Sequence, residues 1–306
     1  MQELNKRSTA DDVLTDLDLS GKNYLLTGCA TGIGFETMRS LAAHGAHIVA
    51  TARSLDRAKA ACDKVAGLTT PLSCDQDDFA AVAAAIEEIK ALGLQFDAII
   101  ANAGIMGPKE PHVRYGVESQ FRVNHLSHML IVTRLSEQLR AGTGRLVMVS
   151  SSAAQSLAPK SGVLFDNLDG HRGYRPFTFY GQSKLANLAF AKSMAERLQP
   201  RRVTSNALHP GVIMSTELTR SFGPMLRAIL PVVTAIGSKT IPQGAATTCF
   251  VAAHPAMAGK TGGFYADCRP AKPNAHADDP VFRQRLWDVS AKILAENAPA
   301  SGAASA

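Results

Sequence analysis

Tyr180 and Lys184 are the two residues of this chain whose types and spacing most clearly suggest joint chemistry. They lie four positions apart in a sequence that favours helix, so their side chains share one helix face. A tyrosine titrates near pH ~10 in water, but a neighbouring lysine cation favours the phenolate and lowers its pKa. Such a phenol can give or take a proton at a substrate oxygen. The spacing occurs by chance in many chains, so it needs support from a dinucleotide site elsewhere.

A glycine-rich turn follows the first apolar run of the chain. Residues 24–27 predict a short buried strand, and a helical pattern runs from residue 35 to residue 43. Glycines between a strand and a helix let the backbone approach a pyrophosphate at the positive end of the helix. The turn has the spacing G-x-x-x-G-x-G and consists of Gly28, Cys29, Ala30, Thr31, Gly32, Ile33 and Gly34. We interpret it as a dinucleotide-binding turn, the alternative being a tight turn without a ligand.

Strand and helix patterns alternate along the rest of the chain. Helical patterns include residues 79–92 and 182–198. Six further apolar runs predict strands at residues 47–51, 69–74, 98–102, 146–150, 203–209 and 261–266. This alternation predicts an α/β fold, a doubly wound parallel sheet of about seven strands in a single domain. We place that domain at residues 20–290, after an N-terminal extension at 1–19 and before a flexible tail at 291–306.

Composition narrows the class of protein. The chain has 306 residues, 46% of them hydrophobic, and its net charge of +6 is dispersed, which argues against nucleic-acid binding. No apolar run reaches the ~18 residues of a membrane span, and the first twenty residues lack the apolar core of a signal peptide. The five scattered cysteines show no metal or disulfide spacing, which favours the cytoplasm. We expect no metal, and structural roles for His125, His128 and His209.

Together the motifs resemble the short-chain dehydrogenase/reductase superfamily. Besides the glycine-rich turn and the Tyr180–Lys184 pair, the chain has an Asn-Ala-Gly turn at 102–104, Asn124, a strand running into Ser151, and His-Pro-Gly at 209–211. The resemblance extends from about Leu19 to Trp287. It implies a Rossmann-type fold and an oxidoreductase whose nicotinamide cofactor gives or accepts a hydride.

The resemblance also implies roles for individual residues. Tyr180 is the acid–base catalyst, Lys184 lowers its pKa and holds the nicotinamide ribose, and Asn124 holds a water that links Lys184 to solvent. Ser151 donates a hydrogen bond to the substrate oxygen. The run Ser150–Ser152 leaves this assignment open by one position, with strand pleat and alignment favouring Ser151. Substrate contacts are expected from Ser151, Ala153, Met106 and Tyr180.

The cofactor-binding set is larger than the glycine-rich turn. Arg53 follows the second strand, where an NAD site usually has an acid, and can pair with a 2′-phosphate, so NADP(H) is favoured over NAD(H). Thr31 weakens this, because many NADP-using relatives have a basic residue there. The expected contacts beyond the turn are Arg53, Cys74, Asp75, Gln76, Asn102, Ala103, Gly104, Tyr180, Lys184, Pro210, Gly211, Val212, Ile213, Ser215 and Thr216. Asp75 is expected at the adenine, or alternatively as the cap of the next helix.

Residues 164–177 lengthen the segment between Ser151 and Tyr180 and resemble the retinol-dehydrogenase-like group. That group uses NADP(H) and acts on lipophilic alcohols, ketones and aldehydes. Residues 212–243 are apolar and lie where relatives build a substrate lid, although core packing or a subunit interface would explain the same pattern.

The function expected from the sequence is therefore an NADP(H)-dependent alcohol dehydrogenase or carbonyl reductase, working as a cytoplasmic homodimer or homotetramer with no membrane span. Two alternatives stay open. One is a non-catalytic dinucleotide-binding regulatory protein, and the other is a lyase or isomerase of the same fold.

Overall fold

Buried apolar segments form the strands at the centre of the protein. The computed structural model describes residues 3–213 and 238–300. Within these ranges the strands are β1 (Asn23–Thr27), β2 (His47–Ala52), β3 (Thr69–Ser73), β4 (Ala98–Ala101), β5 (Val113–Arg114), β6 (Val117–Glu118), β7 (Arg145–Val149), β8 (Thr204–His209), β9 (Phe264–Ala266) and β10 (Arg269–Pro270). The predicted lid at residues 212–243 and the predicted contacts Ser215 and Thr216 lie wholly or mostly outside these ranges.

The main sheet has the strand order β10-β9-β8-β7-β4-β1-β2-β3. Its neighbouring strands are parallel except for β9 and β10, which form an antiparallel pair. The prediction of a doubly wound parallel sheet of about seven strands is confirmed, with the two-residue β10 added as an eighth. The chain reverses its winding direction between β1 and β4, and ligands of such sheets bind at the carboxyl ends beside that point.

Helices cover both faces of the sheet. They are α1 (Ala10–Leu14), α2 (Gly32–Ala43), α3 (Leu55–Cys62), α4 (Phe79–Ala91), α5 (Ser119–Phe121), α6 (Ser127–Leu135), α7 (Ala153–Ser156), α8 (Pro176–Arg197), α9 (Ile241–Ala253) and α10 (Pro280–Asn297). Short 3₁₀ turns occur at Ser136–Gln138, Gln199–Arg201, Pro255–Met257 and Ala275–Ala277. One apolar layer joins the sheet to α4, α6, α8 and α10, and the other joins it to α1, α2, α3 and α9.

A π-helical turn at Arg122–Leu126 connects α5 to α6. It inserts one residue into the helix that carries Asn124, and such insertions are frequent at functional sites. The Asn124 side chain is hydrogen-bonded to the main chain of Ile105, in the segment after β4.

Three element boundaries differ from the sequence-based expectation. Helix α8 begins at Pro176 rather than at residue 182, because proline is well suited to the first helical turn. The last helix continues to Asn297, past residue 291 where the sequence predicts a flexible tail, because Leu294 is buried against the core. Strand β9 begins at Phe264 rather than at residue 261. Before the strand starts, the Gly262 amide donates to the Ser205 carbonyl and the Gly263 amide donates to the Asn206 side chain.

Candidate functional site

The glycine-rich turn and the turn after β4 meet at the winding reversal. Gly28 has a φ of +75°, and a Cβ there would lie 2.9 Å from the Cα of Ala103. A Cβ on Gly34 would overlap the Gly28 carbonyl oxygen. The Asn102 side-chain amide donates to the carbonyls of Thr27 and Gly28, at 2.9 and 3.2 Å. These contacts require glycine at both positions and hold the turn in one shape.

The amides of the turn divide into two groups. Those of Gly28 and Cys29 donate to the Thr51 carbonyl, so they belong to the sheet. Helix α2 starts at Gly32, and the first N–H groups of any helix have no partner inside it. Thr31 is exposed, and its side chain does not cap the helix. The amides at the start of α2 and the Thr31 hydroxyl are therefore suited to a pyrophosphate, and the residues present fit a dinucleotide.

Arg53 lies beside this turn, at the carboxyl end of β2. It is exposed and directly follows β2, whose Thr51 accepts the two amides from the glycine-rich turn. Among residues 3–213 and 238–300 it has no hydrogen bond or ion pair, whereas most other arginines of these ranges do. The position is open to an anionic group at the ribose end of a dinucleotide.

The three predicted cofactor contacts directly after β3, at residues 74–76, differ in their exposure to solvent. Cys74 is buried and its amide donates to the Ala52 carbonyl. Gln76 is buried, and its side chain donates to the Val123 carbonyl in the π-helical turn. Only Asp75 of the three predicted contacts is partly exposed. The alternative interpretation, in which Asp75 caps the next helix, is wrong, because Asp78 caps α4 by accepting from the Ala80 amide.

Ser151 and Tyr180 are brought together at the carboxyl end of β7. The Ser151 hydroxyl is close enough to the phenol to lower the pKa of Tyr180, and the Ser151 Oγ accepts from the Ala153 amide at 3.1 Å. Ser150 is buried and donates to the Lys184 carbonyl, while Ser152 is exposed. The structure therefore separates the three serines, and Ser151 is the one that faces the phenol.

Lys184 is buried next to that pair. Its Nζ lies 5.8 Å from the centre of the Tyr180 ring and donates to the Val149 carbonyl at 3.1 Å. Burial lowers the pKa of Lys184 to about 8. Burial also raises the pKa of Tyr180, and the Ser151 hydroxyl opposes that rise. The pKa of Tyr180 therefore lies above its ordinary value, and a lowering of that pKa by Lys184 stays a prediction.

Asn124 lies beneath the Asn-Ala-Gly turn. Its side chain accepts from the Ile105 amide at 2.8 Å and donates to the Ile105 carbonyl and to the Ser183 hydroxyl. A Cβ on Gly104 would lie 3.1 Å from the Asn124 Oδ1 and 3.3 Å from the Lys184 Nζ. Asn124, Lys184 and Gly104 are thus close together. The Asn124 side chain is committed to protein partners, and its role in holding a water stays a prediction.

The remaining predicted residues lie around this centre. Pro210 is buried and Gly211 has a φ of +102°, with a Cβ there overlapping the Lys239 side chain. Val212 is half exposed, and Ile213 packs on Gly244 beside Ile33, at the start of α2. Met106 is partly exposed after the Asn-Ala-Gly turn, whereas Ala153 is buried behind Ser151.

The extra segment at residues 164–177 is linked by hydrogen bonds to the turn that carries Met106. Gln120 accepts from the Gly107 amide and donates to the Tyr174 hydroxyl, which in turn donates to the Pro108 carbonyl. The sequence did not single out Gln120, Tyr174 or Ser183. The last was detectable from its position directly before Lys184. A cleft of about 640 Å³ lies beside the start of α8, lined by residues such as Leu157, Leu164, Tyr174 and Phe179, but not by Tyr180 or Ser151.

Comparisons with known proteins identify the family of this chain. The family model described as short chain dehydrogenase matches residues 22–163. The chain is 34% identical over 300 residues to short-chain dehydrogenase TIC 32 B, chloroplastic, of Brassica napus, covering 94% of this chain and 93% of that protein. It is 32% identical over 285 residues to retinol dehydrogenase 12 of Mus musculus, covering 92% and 88%. The chain belongs to the short-chain dehydrogenase/reductase family, with retinol-dehydrogenase-like relatives.

A solved structure extends the similarity to a nucleotide complex. It is a blue fluorescent protein from a metagenomic library in complex with NADPH, with 25% identity and a TM-score of 0.63, covering 82% of this chain and 97% of that one. Fold and family together define an oxidoreductase scaffold that binds a nicotinamide dinucleotide. Within residues 3–213 and 238–300, no helix combines the length and apolar character needed to cross a membrane.

Proposed function

We propose that the protein is an NADP(H)-dependent oxidoreductase that interconverts a lipophilic alcohol and its ketone or aldehyde, with Tyr180 as acid–base catalyst. The observation that carries the proposal is the placement of Ser151 and Lys184 against Tyr180, with the Lys184 Nζ 5.8 Å from the centre of the phenol ring. Three groups that handle an oxygen and its proton meet there, on the same edge of the sheet as the glycine-rich turn.

Each residue has a defined task in this proposal. The nicotinamide, when bound, supplies or takes the hydride. Ser151 donates to the substrate oxygen and stabilises the charge that grows on it. Tyr180 gives that oxygen a proton in reduction and takes it in oxidation. Lys184 holds the nicotinamide ribose and supplies positive charge near the phenol.

The preference for NADP(H) is supported by Arg53, whose guanidinium is exposed, has no ion pair within the described part of the chain, and can pair with a 2′-phosphate. The solved NADPH complex and the retinol dehydrogenase relative support the cofactor and the lipophilic substrate class. We further propose a cytoplasmic homodimer or homotetramer. The TIC 32 B relative carries the name chloroplastic, so the compartment needs its own test with a fluorescent fusion.

Turnover of a panel of lipophilic ketones, aldehydes and alcohols with NADP(H) tests the proposal. We expect hydride transfer by the wild type and a loss of at least about a thousandfold in Tyr180→Phe, with NADPH affinity retained. Titration of intrinsic fluorescence with NADPH measures that affinity separately. NADPH binding without turnover of any panel member would favour the regulatory alternative, and binding of neither dinucleotide would refute the proposal.

A further inference from the structure

His128 is the centre of a hydrogen-bond chain that the sequence did not reveal. It is fully buried in the first turn of α6, one helical turn after Asn124. Its Nδ1 lies 2.8 Å from the main-chain oxygen of Asn124, and its Nε2 lies 2.9 Å from the Thr27 Oγ1. A carbonyl only accepts, so Nδ1 carries the proton, and Nε2 of the neutral ring must accept. The Thr27 hydroxyl therefore donates to Nε2.

The hydrogen bonds of Thr27 agree with this assignment. Its Oγ1 accepts from the main-chain amides of Asn102 and Ala103, both at 3.0 Å. Both lone pairs of the hydroxyl are then used, and its hydrogen is free to be donated. Burial lowers the pKa of His128 to about 4, and the nearby Lys184 acts in the same direction. The ring stays neutral at physiological pH, as the assignment requires.

The chain continues on the other side of His128. The Asn124 side chain donates to the Ser183 hydroxyl at 2.9 Å, and that hydroxyl donates to the Tyr180 carbonyl at 2.8 Å. A path of hydrogen bonds, continued through the covalent frame of Asn124, thus runs from Thr27, directly before the glycine-rich turn, to the backbone of Tyr180. It joins β1, the turn after β4, the π-helical turn and α8, which are distant in the sequence.

We propose that His128 is a positioning residue that sets the glycine-rich turn in register with the helix that carries Asn124. The inference rests on the proposed function, in which the turn holds the dinucleotide and Tyr180 moves the proton. His128 acts through Thr27 and Asn124. Its displacement would shift one end of the site relative to the other, and a misplacement of about 1 Å can cost ~100-fold in rate.

Histidine suits this position because the bridge needs a donor at one end and an acceptor at the other. An apolar side chain would leave the Thr27 hydroxyl and the Asn124 carbonyl without these buried partners. Asparagine can place an N–H near the Nδ1 position and so keep the Asn124 contact. Glutamine can reach the Nε2 position and so keep the Thr27 contact. The two variants therefore cut the chain on opposite sides of residue 128.

His125 is a matched control from the same stretch of helix. It is also fully buried, and burial lowers its pKa to about 3. Its Nε2, however, lies 3.0 Å from the Ser290 hydroxyl in α10, away from the glycine-rich turn. His125→Gln removes a buried histidine without touching the chain between Thr27 and Tyr180, and so reports loss of stability alone.

The first test is nuclear magnetic resonance of the full-length protein labelled with ¹⁵N-histidine, with His128→Asn used to assign the signal. We expect the Nδ1–H tautomer for His128 and no titration down to about pH 5. This readout needs neither cofactor nor turnover. The Nε2–H tautomer, or a ring that titrates near its ordinary pKa of ~6.5, would overturn the inference.

The second test compares NADPH affinity, kcat and the kcat–pH profile. We expect His128→Asn to weaken NADPH binding about tenfold, and His128→Gln to lower kcat about tenfold and shift the kcat–pH midpoint. Thr27→Ser should behave as the wild type. Thr27→Val also leaves the Asn102 and Ala103 amides without their acceptor, so it should weaken NADPH binding at least as much as His128→Asn. If the wild type binds and turns over NADPH while the His128 variants match His125→Gln, this inference alone fails. If the wild type binds no NADPH, the proposed function is refuted, and so is this inference, which rests on it.

Discussion

The Nζ of Lys184 lies 5.8 Å from the centre of the Tyr180 ring and donates to the Val149 carbonyl at 3.1 Å. The cation is thus buried between the phenol and the end of the central strand β7. Burial shifts both pKa values towards the neutral forms, lowering that of Lys184 to about 8 and raising that of Tyr180. The protein keeps a buried ammonium at a cost in folding stability, which makes its contribution measurable.

Lys184→Met should change the pH dependence of stability. The pKa of Lys184 falls from 10.5 to about 8 on folding, so the unfolded chain binds more protons between these values. Stability contributed through Lys184 therefore rises with pH across this window and is lowest below pH 8. We expect the Tm of the variant relative to the wild type to fall by roughly 2 °C or more from pH 7 to pH 10. Lys59→Met, on the surface of α3, is the control and should show a constant difference. A constant difference for Lys184→Met as well would contradict the prediction.

The three consecutive serines should have three distinct phenotypes. Ser151→Ala removes the hydroxyl that meets Tyr180, and we expect kcat to fall about 100-fold or more. Ser152→Ala changes an exposed side chain, and kcat should stay within about threefold. Ser150→Ala removes the buried hydrogen bond to the Lys184 carbonyl, which should cost about 1 kcal/mol and lower Tm by roughly 2 to 4 °C. Steady-state kinetics and thermal unfolding of the three variants separate these outcomes, and a larger kcat loss in Ser152→Ala than in Ser151→Ala would reassign the site.

Local patterns were enough to predict the sheet and the pair Tyr180 and Lys184, whereas Asn124 and Ser151 were assigned from the family resemblance. Buried strands, their carboxyl-end turns and the spacing of four in α8 are all visible in short stretches of sequence. Because parallel strands place their carboxyl ends on one edge, the motifs had to meet there. The structure adds which serine faces the phenol, since that depends on the residue at which β7 ends.

Contacts between distant residues could not be predicted in this way. His128 and Thr27 are separated by 101 positions, and nothing in either segment indicates the other. The π-helical turn at Arg122–Leu126 inserts a residue among side chains that are all buried, so no change of hydrophobic period marks it. The direction of the Tyr180 pKa depends on total burial, which the spacing of two residues does not contain.

Arg53→Ala should separate the two nicotinamide dinucleotides. A charge-assisted hydrogen bond to a 2′-phosphate contributes about 1.5 to 3 kcal/mol, so we expect NADPH affinity to fall by roughly 10- to 100-fold. NADH affinity should change by less than about threefold, because NADH lacks that phosphate. Arg202→Ala removes the same charge at the amino end of β8, away from the carboxyl ends of the strands, and should leave both affinities unchanged. Fluorescence titration of the wild type and both variants with each dinucleotide measures these affinities, and NADH binding as tight as NADPH binding in the wild type would refute the NADP(H) preference.

Gly32→Ala and Gly34→Ala should distinguish ligand contact from backbone packing in the glycine-rich turn. A Cβ on Gly34 would overlap the Gly28 carbonyl and lie 2.5 Å from the Asn102 Nδ2. Gly34→Ala must therefore disrupt the contact between the glycine-rich turn and the turn after β4. We expect it to cost about 3 kcal/mol or more and to lower Tm by at least roughly 6 °C.

Gly32 has a φ of +60°, but a Cβ there would meet no protein atom within 4 Å. The backbone strain of alanine costs about 1 kcal/mol, so Tm should fall by only roughly 2 to 4 °C. Its methyl group would instead enter the space where we place the pyrophosphate, and NADPH affinity should fall about tenfold or more. Thermal unfolding and NADPH titration of both variants give the comparison. Unchanged NADPH affinity in a folded Gly32→Ala protein would mean that the start of α2 does not hold the pyrophosphate.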